Sequence, residues 1–417
     1  MGEWLPGLLR PDEEASRVRL KAGQRQVTDG PFTKKEAVEW AKKIPLREGG
    51  GYVDRALIRI LLFMLPILYG MVTPISRMTY ALKYIVALTV VWAVPTVGSP
   101  VGGVEDGRTG KIQFESSTPS DEFSVINGRH RPKVIVEGTL SLPKRAKPPY
   151  FVAVIAHGSG GVRPDREAKW AEELNKAGIA AFVVDSYGPR KTTGTDTGDI
   201  NVSTMANVAD AYAALRLLST HPLLDAGNVA VIGFSRGGQV ALWTAFDPLR
   251  KTFMGDSMLS FSAHVLVYPA CNFQRVTTHI SKAPMLHLHG EADDLTPLAA
   301  CREYMNRLRA NGANIHTITY PDAYHNFDFA RPARYAPSVK SAAGCRAEIN
   351  LDDQKYLLLP TRHPFASRKE FGDYERSCTT RGATIGGNPK ARARAYVDSV
   401  GFLWKAFGMQ PGQRDAR

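Results

Sequence analysis

The sequence predicts an α/β fold: a mostly parallel central sheet with helices on both faces. Three observations carry this. Short, wholly apolar runs recur, such as Phe151–Ala156 (FVAVIA) and Asn228–Gly233 (NVAVIG). Amphipathic helical patterns alternate with them, and glycine-rich turns follow several of the runs. A strand buried on both faces reads as a continuous apolar run. Strict alternation of strand and helix sets the strands parallel.

The elements follow in order from residue 133. Val134–Ser141 alternates like a half-buried strand, and Phe151–Ala156 is a buried strand. Asp165–Ala177 is amphipathic and closes on Gly178, a helix stop signal. Ile179–Val184 is a strand, Val202–Ser219 a long helix ending before His221-Pro222, and Asn228–Gly233 a third central strand. Gln239–Phe246 is helical. Val265–Pro269 and Met285–His289 are strands, Pro297–Ala310 is helical, Ile315–Tyr320 is a strand, and Ala391–Phe407 closes the chain as a helix. Residues 105–130 are rich in Gly, Ser, Thr and charge, as a linker or edge strand would be. The stretch 326–390, rich in Arg, Pro and Gly, reads as an irregular insertion before the last helix.

Composition bounds the function. At 417 residues, 44% hydrophobic and 22% charged, the chain is neither disordered nor fibrous. The net charge of +13 divides into +5 over residues 1–100 and +8 over the rest. So diffuse an excess, with no basic run interleaved with aromatics, points to no nucleic-acid partner.

Residues 1–104 read as a leader. Two uncharged apolar stretches, Ile60–Ser76 and Tyr84–Val104, lie within it. The apolar heart of the second, Tyr84–Val94, has the length of a signal-peptide core. Arg77 and Lys83 precede it, and small Gly98 and Ser99 follow. Export by cleavage, to the periplasm or outside, is the expectation. A retained membrane anchor, a membrane hairpin of two short helices, and two buried core helices are the alternatives. Residues 105–417 then form one catalytic domain.

The chemistry starts at Gly233-Phe234-Ser235-Arg236-Gly237, a G-x-S-x-G directly after an apolar strand and directly before a helix. A sharp strand-to-helix turn there exposes the serine hydroxyl at the sheet edge, over a helix N-terminus that favours negative charge. Upstream, His157-Gly158-Ser159-Gly160-Gly161 follows a central strand. Its backbone can form an oxyanion hole with the N–H of Arg236; Ser159 is the expected donor, with Gly160 as fallback. His157 is expected to order this loop. The serine needs a base, and His325 follows the last strand at the same sheet edge. An orienting acid comes from the loop after Met285–His289, where Glu291, Asp293 and Asp294 compete. The turn of that loop favours Asp293 over Glu291, while spacing alone leaves Asp294 open. His287 and His289 stand on one strand face without an evident third metal ligand, so structural roles are expected and no metal. The remaining histidines carry no motif.

These residues resemble the dienelactone hydrolase-like branch of the α/β-hydrolases. The resemblance rests on HGSGG (157–161), DSYGPR (185–190), GFSRGG (233–238), HGEADDLTP (289–297) and YPDAYHNF (320–327). The family's G-x-x-D-x-x-x-P acid loop falls on Gly290, Asp293 and Pro297, which selects Asp293. The resemblance implies an α/β-hydrolase fold and hydrolysis of carboxylic esters or lactones, with no cofactor. The best-known members use a cysteine nucleophile; Ser235 here moves the reading toward a general serine esterase. Tyr187 and Arg190, at the end of a central strand, are candidates to touch substrate; the alternative is that 185–190 is a well-ordered structural loop. On the same element reading, neighbouring strands bring Cys271 near Cys301, while Cys345 and Cys378 share the insertion. Pairs 271–301 and 345–378 are expected if the protein is exported. A prolyl-oligopeptidase-like peptidase and a non-catalytic envelope scaffold with the same fold are the rival functions. The region before residue 133 is too short and too poor in repeats for the propeller of the first. An intact Ser, Asp and His set argues against the second.

Overall fold

A computed structural model describes residues 100–129, 132–192 and 202–409, and the backbone of two short strands nearer the N-terminus. These strands, β1 (Arg17–Lys21) and β2 (Gln24–Thr28), pair antiparallel. They belong to a compact unit, Met1–Val94, separate from the unit Pro95–Arg417. Apart from these two strands and residues 100–104, the leader lies outside the described residues. Among the described residues, no helix is long and apolar enough to cross a membrane.

The second unit runs β3 (Gly110–Ser117), α1 (Glu122–Ile126), β4 (Lys133–Ser141), β5 (Tyr150–Ala156), α2 (Glu167–Lys176), β6 (Ala180–Asp185), α3 (Thr204–Leu218), β7 (Leu224–Phe234) and α4 (Arg236–Trp243). It continues with α5 (Asp247–Met254), β8 (Ala263–Val267), β9 (Phe273–Val276), β10 (Met285–Gly290), α6 (Leu298–Ala310) and β11 (Ile315–Tyr320). The final part holds β12 (Arg334–Ser341), β13 (Ala347–Asn350), β14 (Lys355–Leu358), β15 (His363–Pro364), α7 (Arg368–Cys378), β16 (Thr380–Ile385) and α8 (Pro389–Ala406).

Eight strands form one sheet in the order β11-β10-β8-β7-β5-β6-β4-β3. Strand β4 runs against both its neighbours, and the six strands β11, β10, β8, β7, β5 and β6 are parallel. This is the α/β-hydrolase fold. The apolar runs explain the layering. Along β5, Val152, Val154 and Ala156 face one core, with α3, α4 and α6; Ala153 and Ile155 face the other, with α2 and α8. The same period of two divides Val229 and Val231 of β7 from Ala230, Ile232 and Phe234. Each large apolar side chain so buried contributes about 1.5–3 kcal/mol. Gly178 ends α2 with φ +80°, as its stop signal requires.

Four differences from the sequence reading have physical causes. Of the two readings of residues 105–130 the edge strand holds, as β3, and the difference is an added short helix capped by Asp121. The domain takes up the chain before residue 105: Val101 bridges Phe114, and Val104 is fully buried. Helix α5 and strand β9 are additions to the elements expected from the sequence; β9 is too short, at four residues, to show a period. The insertion 326–390 is not irregular. Its strands β12 and β16 form an antiparallel ribbon, and β13 joins β9 in a separate four-stranded sheet, β15-β14-β13-β9. Phe371 fixes this second sheet, its ring packing 4.5 Å from Tyr356, 5.5 Å from Phe365 and 5.7 Å from Phe273.

Both expected disulfides are present. Cys271–Cys301 ties the loop after β8 to the start of α6, and Cys345–Cys378 closes the insertion.

Candidate active site

The turn from β7 to α4 holds Ser235 at φ +54°, ψ −113°, a conformation that L-residues rarely adopt. The positions two before and two after it must be glycine. A Cβ on Gly233 would lie 1.8 Å from the Gly237 carbonyl oxygen, and one on Gly237 would lie 2.1 Å from that of Ala156. The Ser235 N–H donates to the Val267 carbonyl (2.9 Å), fixing the strained turn to the next strand.

His325, 2% exposed, sits in the loop after β11 with its Nε2 3.0 Å from Ser235 Oγ. Its Nδ1 lies 2.8 Å from Asp293 Oδ2 and 3.0 Å from Thr296 Oγ1. A carboxylate only accepts, so the hydrogen-bond network puts the proton on Nδ1 and leaves the Nε2 lone pair facing the serine hydroxyl. The structure therefore brings Ser235, His325 and Asp293 into one line.

Neither rival acid reaches His325. Glu291 is exposed and accepts from Thr319 Oγ1 (2.5 Å), and Asp294 is exposed and accepts from the Thr384 N–H (2.8 Å). Asp293 turns inward because its Oδ1 accepts the N–H groups of Leu295 (3.0 Å) and Thr296 (2.8 Å). Gly290 allows the close approach of the two loops: a Cβ there would lie 2.1 Å from the Ala323 carbonyl oxygen. Burial pushes the Asp293 carboxyl upward, but His325, His289 and the Thr296 N–H together outweigh it and hold the group below its ordinary value.

The Ser159 loop lies beside the turn. A Cβ on Gly158 would come 3.3 Å from the Phe234 carbonyl oxygen. Among the described residues, none accepts from the N–H of Ser159, Gly160 or Arg236. His157 accepts the Ser186 N–H at Nε2 (3.2 Å), so its Nδ1–H donates to the Gly158 carbonyl (2.8 Å). Burial pushes its pKa down, which keeps it neutral in this loop-ordering position.

Of the two readings of Arg190, the structure favours the structural loop over contact with substrate. All five of its N–H groups are engaged: with both Asp210 oxygens (2.7 and 2.9 Å), the Ser186 and Ser117 carbonyls, and Thr118 Oγ1. The pair is almost fully enclosed, and it fastens the loop after β6 to α3. Tyr187 is also buried, its ring edge-on to His157 at 4.4 Å.

His287 and His289 are buried and linked, with Nε2 of the first 3.1 Å from Nδ1 of the second. His289 Nε2–H donates to the Thr296 carbonyl (2.7 Å), behind Asp293. Cys301 lies close enough to complete a metal-ligand trio, but its sulfur is bonded to Cys271. The histidines thus brace the acid loop.

Two site residues escaped the sequence reading. Thr296 donates its hydroxyl to Asp293 Oδ2 at 2.8 Å; the D-x-x-T spacing of an Asx-type turn was the available signal. Tyr268, at φ +38°, packs its ring edge-on to that of His325, centroids 4.7 Å apart, and donates its hydroxyl to Asp328 (2.5 Å). It directly follows strand β8 with no local signal.

Comparison with known proteins gives the family. The model of the dienelactone hydrolase family matches residues 136–351, just over half of the chain. A Bradyrhizobium protein named as a 2-oxo-3-(5-oxofuran-2-ylidene)propanoate lactonase is 24% identical over 42% of this chain and 72% of its own. A Salmonella typhimurium protein named as a carboxymethylenebutenolidase is 28% identical over 28% of this chain and 42% of its own. Among solved structures, a thermophilic esterase from Thermogutta terrifontis with propionate bound covers 48% of this chain and 83% of its own, at 22% identity and a TM-score of 0.39. A dienelactone hydrolase-like promiscuous phosphotriesterase from metagenomic libraries covers 71% and 99%, at 16% identity and a TM-score of 0.43. The chain belongs to the dienelactone hydrolase family and is, by class, a carboxylic ester hydrolase.

Proposed function

We propose that the chain cleaves small carboxylic esters or lactones through an acyl-enzyme on Ser235. Its Oγ attacks the carbonyl carbon while His325 Nε2 takes the hydroxyl proton. Asp293 holds the Nδ1–H tautomer and stabilises the imidazolium. The N–H groups of Arg236 and Ser159, with Gly160 as the alternative donor, receive the oxyanion. His325 then protonates the leaving oxygen, and water activated by the same imidazole releases the acid.

One observation carries this reading: the unbroken hydrogen-bonded line from Ser235 through His325 to Asp293, at 3.0 and 2.8 Å. The strained backbone of Ser235 supports it, since such strain persists where function holds it. Export to an oxidising compartment, with the N-terminal region as leader, belongs to the same proposal and draws support from the two disulfides.

A panel of p-nitrophenyl esters and lactones tests it. Ester turnover that falls roughly 10³-fold or more in His325→Ala is the expected result. Turnover of Pro-containing peptides in place of esters would overturn it.

A further inference from the structure

One segment of the insertion, Thr384–Asn388, touches both loops that carry the acid and the base. The loops leave the sheet side by side, with the Ala292 N–H donating to the Ala323 carbonyl at 3.1 Å. Beyond that point the insertion joins them. The Thr384 N–H donates to Asp294 Oδ1 (2.8 Å), and two residues on the Gly386 N–H donates to the carbonyl of His325 itself (2.8 Å). The Asn388 N–H donates to the Phe327 carbonyl (2.8 Å), and its side-chain amide donates to that of Asp322 (3.1 Å). Such an approach needs glycine: at Gly386, φ is +137° and a Cβ would lie 2.5 Å from the Pro332 carbonyl oxygen. The other end of β16 is fixed by Cys378, two residues before it begins and bonded to Cys345.

We propose that this segment is a clamp that positions His325 against Asp293, with Asp294 as its latch. Asp294 touches neither His325 nor Ser235. Its carboxylate fastens the acid loop to Thr384 in β16, while Gly386, directly after that strand, fastens the base loop. The insertion thereby sets the separation of acid and base, and Asp294 is a positioning residue. This rests on the roles proposed above for Ser235, His325 and Asp293.

The test compares wild type, Asp294→Ala, Asp294→Asn, Thr384→Pro and the double variant Asp294→Ala/Thr384→Pro as full chains. A fluorophosphonate probe counts reactive Ser235, and kcat is expressed per labelled site. Loss of the latch lowers kcat per site by roughly 10- to 100-fold in Asp294→Ala, the scale set by small misplacements of catalytic groups, with KM unchanged. Asp294→Asn keeps an acceptor oxygen and restores kcat. Thr384→Pro removes the donor, gives the same loss, and adds nothing to Asp294→Ala, because both delete one bond. Wild-type kcat per site in Asp294→Ala, or equal loss in the Asn variant, overturns the clamp. Wild-type labelling elsewhere than Ser235 overturns the nucleophile assignment instead, so the two failures are separable.

Discussion

His325 Nε2 stands 3.0 Å from Ser235 Oγ across 90 residues of sequence, on loops that meet only because β7 and β11 end at the same edge of one sheet. Thr296 completes the arrangement, its hydroxyl bonded to Asp293 and 3.0 Å from His325 Nδ1. Thr296→Val keeps the shape and removes the bond. A lost hydrogen bond to a charged group lowers kcat by roughly 10- to 100-fold. Steady-state kinetics on a folded variant checks this; unchanged kcat would make Thr296 a bystander.

Arg190 gives a prediction of the opposite kind. Asp210 is fully buried, and Arg190 and Ser116 are its partners, Ser116 Oγ donating at 2.6 Å. Arg190→Ala leaves a buried carboxylate without its counter-charge, at a cost of about 3–5 kcal/mol. Urea denaturation measures the loss. A full-stability variant with a raised KM would restore the substrate contact expected from the sequence.

These residues show how far the sequence was legible. Ser235 could be read because strand, turn and helix are contiguous, and the close approaches at Gly233 and Gly237 demand glycine locally. His325 could be read from the end of β11. The choice of Asp293 over Asp294 could not be made from spacing, because adjacent side chains differ only through the turn bonds to Leu295 and Thr296 and the distant hold of Thr384. The role of Arg190 stayed open between substrate contact and structural loop because its partner Asp210 lies 20 residues on, on helix α3. The insertion looked irregular because β13 takes its order from β9, more than 70 residues upstream, and not from its own four residues.

Stability should fall on acidification. Burial pushes His264 from 6.5 down to about 4, and pushes His157, His287 and His289 downward as well. A base whose folded pKa is depressed binds its proton more readily when unfolded. Its contribution is therefore complete above about 6.5 and is lost as pH falls toward about 4. Tm should drop between pH 7 and 4.5, and less steeply in His264→Asn. A flat Tm over that window contradicts the buried neutral histidines.

The disulfides close loops of sequence separation 30 and 33. On the chain-entropy model each contributes roughly 3–4 kcal/mol. Thiol titration of unfolded, unreduced protein should find no free thiol, and reduction should release four and lower Tm. Four free thiols before reduction would contradict both pairs and the oxidising location they support.

The central claim is that Ser235 forms the acyl-enzyme, and intact-protein and peptide mass spectrometry after fluorophosphonate treatment tests it most directly. The expected result is one adduct per chain, on Ser235, complete loss of ester turnover, and neither adduct nor turnover in Ser235→Ala. Full turnover in Ser235→Ala, or an adduct on another residue that abolishes activity, would contradict the account.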